Sequence, residues 1–157
     1  MLRGHQKRVP SAGVNKRVPI FGALNPVSGR LTVHVGSGKN SAEYVRFLKR
    51  LIAAHGGRHV FLFTDNCSIH HAKCVMRFLA DHADKITVIW NAPYTPELNL
   101  IERYWGHLKQ RAIYNYYFET KQALEQAIRD SVRAFNKSKE LNIKINLDYL
   151  NSLCTAA

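Results

Sequence analysis

The sequence predicts a mixed α/β domain, a small sheet flanked by helices, and three features carry that reading. Val18 to Leu24 and Leu31 to Val35 are apolar runs separated by Asn25-Pro26-Val27-Ser28-Gly29, a turn-forming connection that makes them a β-hairpin. Val60 to Thr64 and Ile86 to Trp90 are short apolar runs with a helical pattern between them, and strand, helix, strand in succession implies a parallel pair with a crossover. The remaining patterned segments repeat their apolar residues at spacings of three and four, the signature of helices with one buried stripe.

Taken in order, Met1 to Arg17 is basic and broken by Gly and Pro, an irregular arm that serves either as a DNA-phosphate contact or as a solvated tail. After the hairpin, Ser41 is the expected N-cap of a helix that buries Tyr44, Leu48, Leu51 and Ile52, and Gly56-Gly57 ends it. Val60 to Thr64 delivers Asp65 to the C-terminal tip of a buried strand. A helix from about His71 to Ala83 follows, with Val75, Phe78 and Leu79 inward. Asn91 to Thr95 is a loop leading into a helix opened by Pro96 and Glu97, whose stripe is Leu98, Ile101, Trp105, Leu108 and Ala112. At about 100° per residue, Glu102 lies on the flank of that stripe, and Gly106 one turn later leaves space above it. Thr120 caps a last helix that buries Leu124, Ile128, Val132 and Phe135. Alternation of Leu141, Ile143, Ile145 and Leu147 marks the tail as an edge strand or a docking segment. The 157 residues are read as one domain: arm 1–17, core 18–137, tail 138–157.

The charge is not that of an ordinary globular chain. A net +12 with a pI near 9.9 points to a polyanion partner, because neutralising each phosphate releases counterions. The first eight residues have no apolar run behind them, so no signal peptide is expected there, and no apolar stretch approaches the length of a membrane span. Cys67, Cys74 and Cys154 are odd in number and at no disulfide-like spacing, as in a reducing cytosol.

Asp65 and Glu102 can face each other across a cleft, one from a strand tip and one from a helix flank, and two facing carboxylates suit a hard metal ion. The residues around them go further. Asp65-Asn66 with His70 close behind, then Pro93-Tyr94-Thr95-Pro96-Glu97-Leu98-Asn99-Leu100-Ile101-Glu102, then Trp105 and Leu108-Lys109, resemble the catalytic core of DDE transposases of the insertion-sequence branch of the Tc/mariner superfamily. Phe21-Gly22-Ala23-Leu24-Asn25-Pro26 followed by Gly29 fits the same pattern, so the resemblance runs from about Gly4 to Asn136. Leu100, where many members have proline, is a small departure.

That resemblance implies a ribonuclease H-like mixed sheet and an Asp-Asp-Glu triad in which Asp65 is the second acid and Glu102 the third. It implies Mg²⁺ or Mn²⁺ in a two-ion site, cleavage and transfer of DNA strands during transposition of an insertion sequence, and double-stranded transposon-end and target DNA as partners. It also implies a cytoplasmic, nucleoid-associated protein of a prokaryote. In the family the first acid ends a central strand lying between the hairpin and the Asp65 strand, and this chain has no Asp or Glu before Glu43. The expectation is therefore a catalytic domain lacking its first, central strand and inactive alone. The alternative is a catalytically dead DNA-binding remnant or a partner of a full-length transposase. A homodimer and an association with an upstream-frame product are both compatible with this.

The other candidates have rivals. Asn66 and His70 are expected to support Asp65 or position DNA, although His70 suits a helix-capping or packing role nearly as well. Lys109 shares the Glu102 flank and is a candidate phosphate contact. Arg129, Arg133 and Lys137 recur four apart, as a phosphate track or a solvated face. Cys67, His70, His71 and Cys74 have zinc-type ligands, but on one helix the two sulfurs would be separated by about 10 Å of rise, too far for one ion. Tyr114, Tyr116, Tyr117 and Phe118 either stack on bases or close a core, and the core is the expectation.

Overall fold

The structure is a computed structural model that describes residues 17–91, 100–114 and 116–138. The arm before residue 17, the loop and helix opening at 92–99, and the tail beyond 138 lie outside the described residues, so the readings placed there are neither met nor refused.

The hairpin forms as expected. Strand β1 (Ile20–Leu24) pairs antiparallel with β2 (Leu31–Val35), Leu24 opposite Leu31 and Ile20 opposite Val35. Asn25 makes the turn: its side-chain oxygen accepts from the N–H groups of Val27 and Ser28, each at 3.0 Å, and Gly29 takes φ 67°, a conformation that disfavours any side chain. Helix α1 (Ser41–Ala54) follows, and its cap is a correction: Asn40, not Ser41, sits in extended backbone and accepts from the Glu43 N–H at 2.9 Å. Asn and Ser are about equally good caps, so adjacent candidates are decided by where the chain turns. Gly56 and Gly57, at φ 56° and 82°, end α1 as predicted.

Strand β3 (Val60–Thr64) and β4 (Ile86–Trp90) pair in parallel, with α2 (Lys73–Asp81) as the crossover. Helix α2 starts two residues later than expected, because 67–72 make a run of tight turns, His70 N–H to Cys67 and His71 N–H to Ser68, before the helix begins. Helix α3 (Leu100–Leu108) passes into a π-turn at Lys109–Ile113, and α4 (Lys121–Ser138) closes the described chain. The Thr120 hydroxyl accepts from Ala123 N–H at 3.0 Å, the cap read from the sequence.

Two cores hold these elements. In one, Tyr44, Phe47, Leu48 and Leu51 of α1 pack with Val75 and Phe78 of α2 on Val60, Leu62 and Ile86. In the other, α3 and α4 cover the opposite side of the hairpin: Leu31, Tyr104, Leu108, Leu124 and Ile128 are buried, with Ile101, Trp105, Ala112, Val132 and Phe135 against them. Tyr104, which lies off the expected stripe, is 2% exposed, and burial pushes its hydroxyl up to about 12. Asn136 fixes the end of α4 by a double hydrogen bond to the Leu31 backbone, 2.9 Å each way.

The four strands form two separate two-stranded sheets, β1-β2 and β3-β4. Both rest on α1: Phe21 of β1 stacks at 6.3 Å on Phe47, and Tyr44 touches Phe21 on one side and His70 beyond β3 on the other. Pairing parity shows which backbone groups remain. Asn25 bonds to Arg30 and Gly36 to Pro19, so the odd residues of β1 serve β2 and Ile20, Gly22 and Leu24 turn their N–H groups to the other edge. Val60 bonds to Lys85 and Thr64 to Asn91, so Phe61 and Phe63 do the same on β3. Their rings are also uncovered among the described residues, at 64% and 53% exposed.

Candidate active site

Asp65 follows the last residue of β3, where the chain leaves the sheet. Its carboxylate is 62% exposed, and two contacts aim it. Oδ1 accepts from the Cys67 backbone N–H at 3.1 Å, an Asx turn that folds the loop back on its own side chain. His70 Nδ1 lies 3.1 Å from the same Oδ1 and 3.0 Å from the Asp65 carbonyl oxygen. Both neighbours are acceptors, so Nδ1 carries the proton and donates to them. The imidazole is held in turn by the Tyr44 ring, stacked at 4.2 Å, and only 12% of its side chain is exposed. Burial pushes the Tyr44 hydroxyl up to about 12.

Asn66 donates from Nδ2 to the Asn91 carbonyl at 2.9 Å, and the Asn91 N–H donates to Thr64. These bonds tie the tip of β3 to the tip of β4, so Asn66 fixes the loop that carries Asp65. Glu102 lies exposed on the first turn of α3, and Gly106 has the open space beside it that the sequence predicted. Helix α3 is seated on the hairpin by Trp105 and Ile101, which approach so closely that a Cβ on Gly22 would lie 2.9 Å from the Trp105 ring. Lys109 is exposed at the point where α3 passes into its π-turn.

Metal chemistry at these positions can be tested on the donor set. Asp65 presents a hard carboxylate with one oxygen held by hydrogen bonds and most of its surface open, and Glu102 presents a second open carboxylate. Both suit Mg²⁺ or Mn²⁺, which take oxygen ligands. Among the described residues there is no group of three or more His, Cys, Asp or Glu placed to hold an ion. Cys67, His70 and His71 lie in the turns before α2, so the single-helix spacing assumed for a zinc reading with Cys74 does not apply to them. His70 stacks on Tyr44 while His71 stacks on Trp90 at 4.3 Å, so the two rings are committed to different neighbours.

Two other groups differ from the sequence reading. The basic stripe of α4 is partly compensated, because Arg133 pairs with Asp130 at 3.0 Å, whereas Arg129 and Lys137 are exposed. Tyr114, Tyr116 and Tyr117 are exposed rather than core-closing; only Phe118 packs inward. Sequence reasoning also missed a buried carboxylate at the start of α1. Glu43 is 4% exposed and accepts from His34 Nε2 at 2.7 Å, Ser37 Oγ at 2.8 Å and the Arg46 guanidinium. These bonds, that from His34 foremost, hold it down at about 2. The signal was present: an acid at N3 of a helix with a histidine one residue before the end of the preceding strand.

Comparison with known proteins agrees with this geometry. Residues 1–125 match the family model described as DDE superfamily endonuclease. The chain is 32% identical over 129 residues to an insertion element IS630 uncharacterized 39 kDa protein of Shigella sonnei, covering 82% of this chain and 37% of that protein. It thus spans about a third of that relative's length. Among solved structures it resembles the catalytic core domain of BIV integrase, with a TM-score of 0.52 at 24% identity over 88% of this chain and 90% of that one. It also resembles a chain of the simian T-cell lymphotropic virus intasome in complex with the PP2A regulatory subunit B56 gamma, with a TM-score of 0.58 at 20% identity over 79% and 50% of the two chains. These likenesses establish the ribonuclease H-like fold. Fold, motif and sequence identity converge: the chain belongs to the DDE superfamily of endonucleases, as a relative of the IS630-type transposases of insertion elements.

Proposed function

We propose that this chain is the larger part of an insertion-sequence transposase catalytic domain, acting in metal-dependent cleavage and transfer of DNA strands, and that it is incomplete without a further strand. The observation that carries this reading is a pair of strand edges beside Asp65 that are left unpaired among the described residues. Ile20, Gly22 and Leu24 of β1 and Phe61 and Phe63 of β3 turn backbone donors away from their partners, and α1 supports both sheets. A strand between them would be hydrogen-bonded on both sides and would pack on α1. Running parallel to β3, such a strand would end level with Asp65, where the family's first acid belongs.

Asp65 and Glu102 are the residues we assign as metal ligands. When bound, the ions supply an activated water or 3′-hydroxyl and a stabilised leaving oxygen. The chain's own residues orient these groups. His70 holds Asp65 Oδ1 and keeps that carboxylate in one rotamer, Asn66 locks the loop, and the hydrophobic seat of Trp105 fixes the helix that bears Glu102. Lys109, Arg129 and Lys137, all exposed, are the residues we assign to phosphates of double-stranded DNA, with Arg133 paired to Asp130. Among the described residues Asp65 and Glu102 have no third carboxylate grouped with them to hold metal ions, and an error of about 1 Å in placing reacting groups costs on the order of a hundredfold in rate.

The test is a nicking assay on transposon-end DNA with Mg²⁺ or Mn²⁺. The chain alone neither nicks nor joins DNA; a fusion carrying an upstream strand that ends in Asp cuts, and Asp65→Asn or Glu102→Gln in that fusion abolishes cutting. Cutting by the unextended chain that Glu102→Gln removes would show a complete site and refute the proposal. The second reading, a dead DNA-binding remnant or a partner of a full-length transposase, is favoured by the lack of a three-ligand cluster among the described residues. It predicts a fusion that binds DNA and never cuts it.

A further inference from the structure

Three tyrosines stand out at the elbow between α3 and α4. Tyr114, Tyr116 and Tyr117 are 55%, 60% and 44% exposed, in a short segment whose two ends are anchored by apolar residues. Before it, Ile113 packs into the core beneath α3 and α4, and after it Phe118 does the same. The π-turn Lys109–Ile113 sets this arrangement: it ends with Tyr114 in extended backbone (φ −67°, ψ 138°), its N–H returned to the Lys109 carbonyl. The extra residue of a π-turn worsens helix geometry and recurs at functional sites. Here its consequence is that the rings after it face water.

The surroundings are cationic. Lys109 and Arg111 lie on the π-turn and Lys121 opens α4, all exposed, and the one acid in this stretch is Glu119. A protein partner would find an aromatic patch acceptable, but a net charge of +12 on the chain favours a polyanion that also offers flat apolar faces. Nucleic-acid bases that are not paired meet both requirements.

We propose that this elbow is a base-stacking platform for DNA: unpaired nucleobases lie on the rings of Tyr114, Tyr116 and Tyr117 while Lys109 and Arg111 hold the adjoining phosphates. The proposal rests on the reading that the chain binds DNA, and not on the assignment of Asp65 and Glu102 as metal ligands. It also fixes a position. Tyr114 lies twelve residues after Glu102, at most ~18 Å of helical rise. That is the length of about five nucleotides of one strand. Counted between Cα atoms, the Tyr114 end of the platform therefore lies within the length of about five nucleotides of Glu102.

The full chain is titrated, with EDTA present, against three fluorescent DNAs: a blunt duplex, the same duplex with a five-nucleotide single-stranded extension, and the extended duplex carrying 2-aminopurine in the extension. The expected result is that the wild type prefers the extended duplex and quenches 2-aminopurine. Replacing all three tyrosines with alanine lowers affinity for the extended duplex at least tenfold and abolishes quenching, while affinity for the blunt duplex stays within about twofold. The triple phenylalanine variant keeps both the preference and the quenching, since stacking needs the ring and not the hydroxyl. Equal losses on blunt and extended DNA, or a phenylalanine variant as weak as the alanine one, would overturn the platform. Failure of the wild type to bind any of the three DNAs at low salt would overturn the DNA reading beneath it. A far-ultraviolet circular dichroism spectrum unchanged in both variants confirms that these surface changes leave the fold intact.

Discussion

His70 Nδ1 sits 3.1 Å from Asp65 Oδ1 and 3.0 Å from the Asp65 carbonyl oxygen, so one imidazole N–H spans the side chain and backbone of the same acid. The ring cannot rotate away, because Tyr44 stacks on it at 4.2 Å. A carboxylate that is 62% exposed would otherwise sample several rotamers. Groups of this kind, one shell out from a metal, are worth roughly 10–100-fold in metal affinity.

It follows that His70→Ala should weaken Mn²⁺ binding to the chain by about 10-fold or more, with His70→Asn recovering part of the loss because its side-chain N–H can still donate. Paramagnetic broadening of the Asp65 and Asn66 amide signals measures this without any need for activity. Equal broadening in the wild type and His70→Ala would show that the contact does not position the acid.

The net charge of +12 makes a second prediction. Affinity for duplex DNA should show little sequence preference, and log K should fall linearly with log salt, since each neutralised phosphate releases counterions. Binding that stays flat between low and physiological salt would exclude phosphate contacts as its source.

Gly22→Ala should destabilise the chain by about 1–3 kcal/mol, the usual cost of overpacking. The new Cβ would meet the Trp105 ring at 2.9 Å and Ile101 at 3.0 Å, and neither can withdraw without lifting α3 from the hairpin. Urea denaturation gives the difference. If the variant is as stable as the wild type, α3 is less firmly seated than the structure shows.

Glu43 supplies a pH dependence with a definite sign. Its carboxyl is held at about 2 in the folded chain, against an ordinary 4.5, chiefly by the hydrogen bond from His34. A depressed folded value means that the ionised form stabilises the fold: the contribution is full above about 4.5 and is lost as pH falls toward 2. Glu43→Gln should therefore lower the urea midpoint at pH 7, and the gap to the wild type should narrow between pH 4.5 and pH 2.5. A gap that is constant across this range would mean that charge plays no part.

Much of the fold was legible because local signals agreed with one another. Strands β2, β3 and β4 occupy the residues that their apolar runs marked, and β1 begins two residues late because Pro19 offers no N–H to the ladder. The stripe of α4 is buried as its spacing required, and Gly56-Gly57 closes α1 through positive φ that other residues resist. The apolar run before Asp65 likewise put that acid directly after a strand, and Glu102 falls in the first turn of a helix.

What the sequence by itself determined, then, is the element order, the strand-tip acid, the family and the charge that calls for a polyanion. Each depends on residue type at short range. Tertiary structure decided the rest. It chose Asn40 over Ser41 as the cap by where the chain turns, and it buried Tyr104 and stacked Tyr44 on His70, contacts between surfaces that no local pattern compares. It turned Tyr114, Tyr116 and Tyr117 outward, because a π-turn shifts the register of every ring after it and aromatic composition alone is the same on either side of a surface. And among the described residues it left one edge of β1 and one of β3 unpaired, since strand pairing is a long-range choice: an edge is paired only when some other segment of chain brings its own backbone to it.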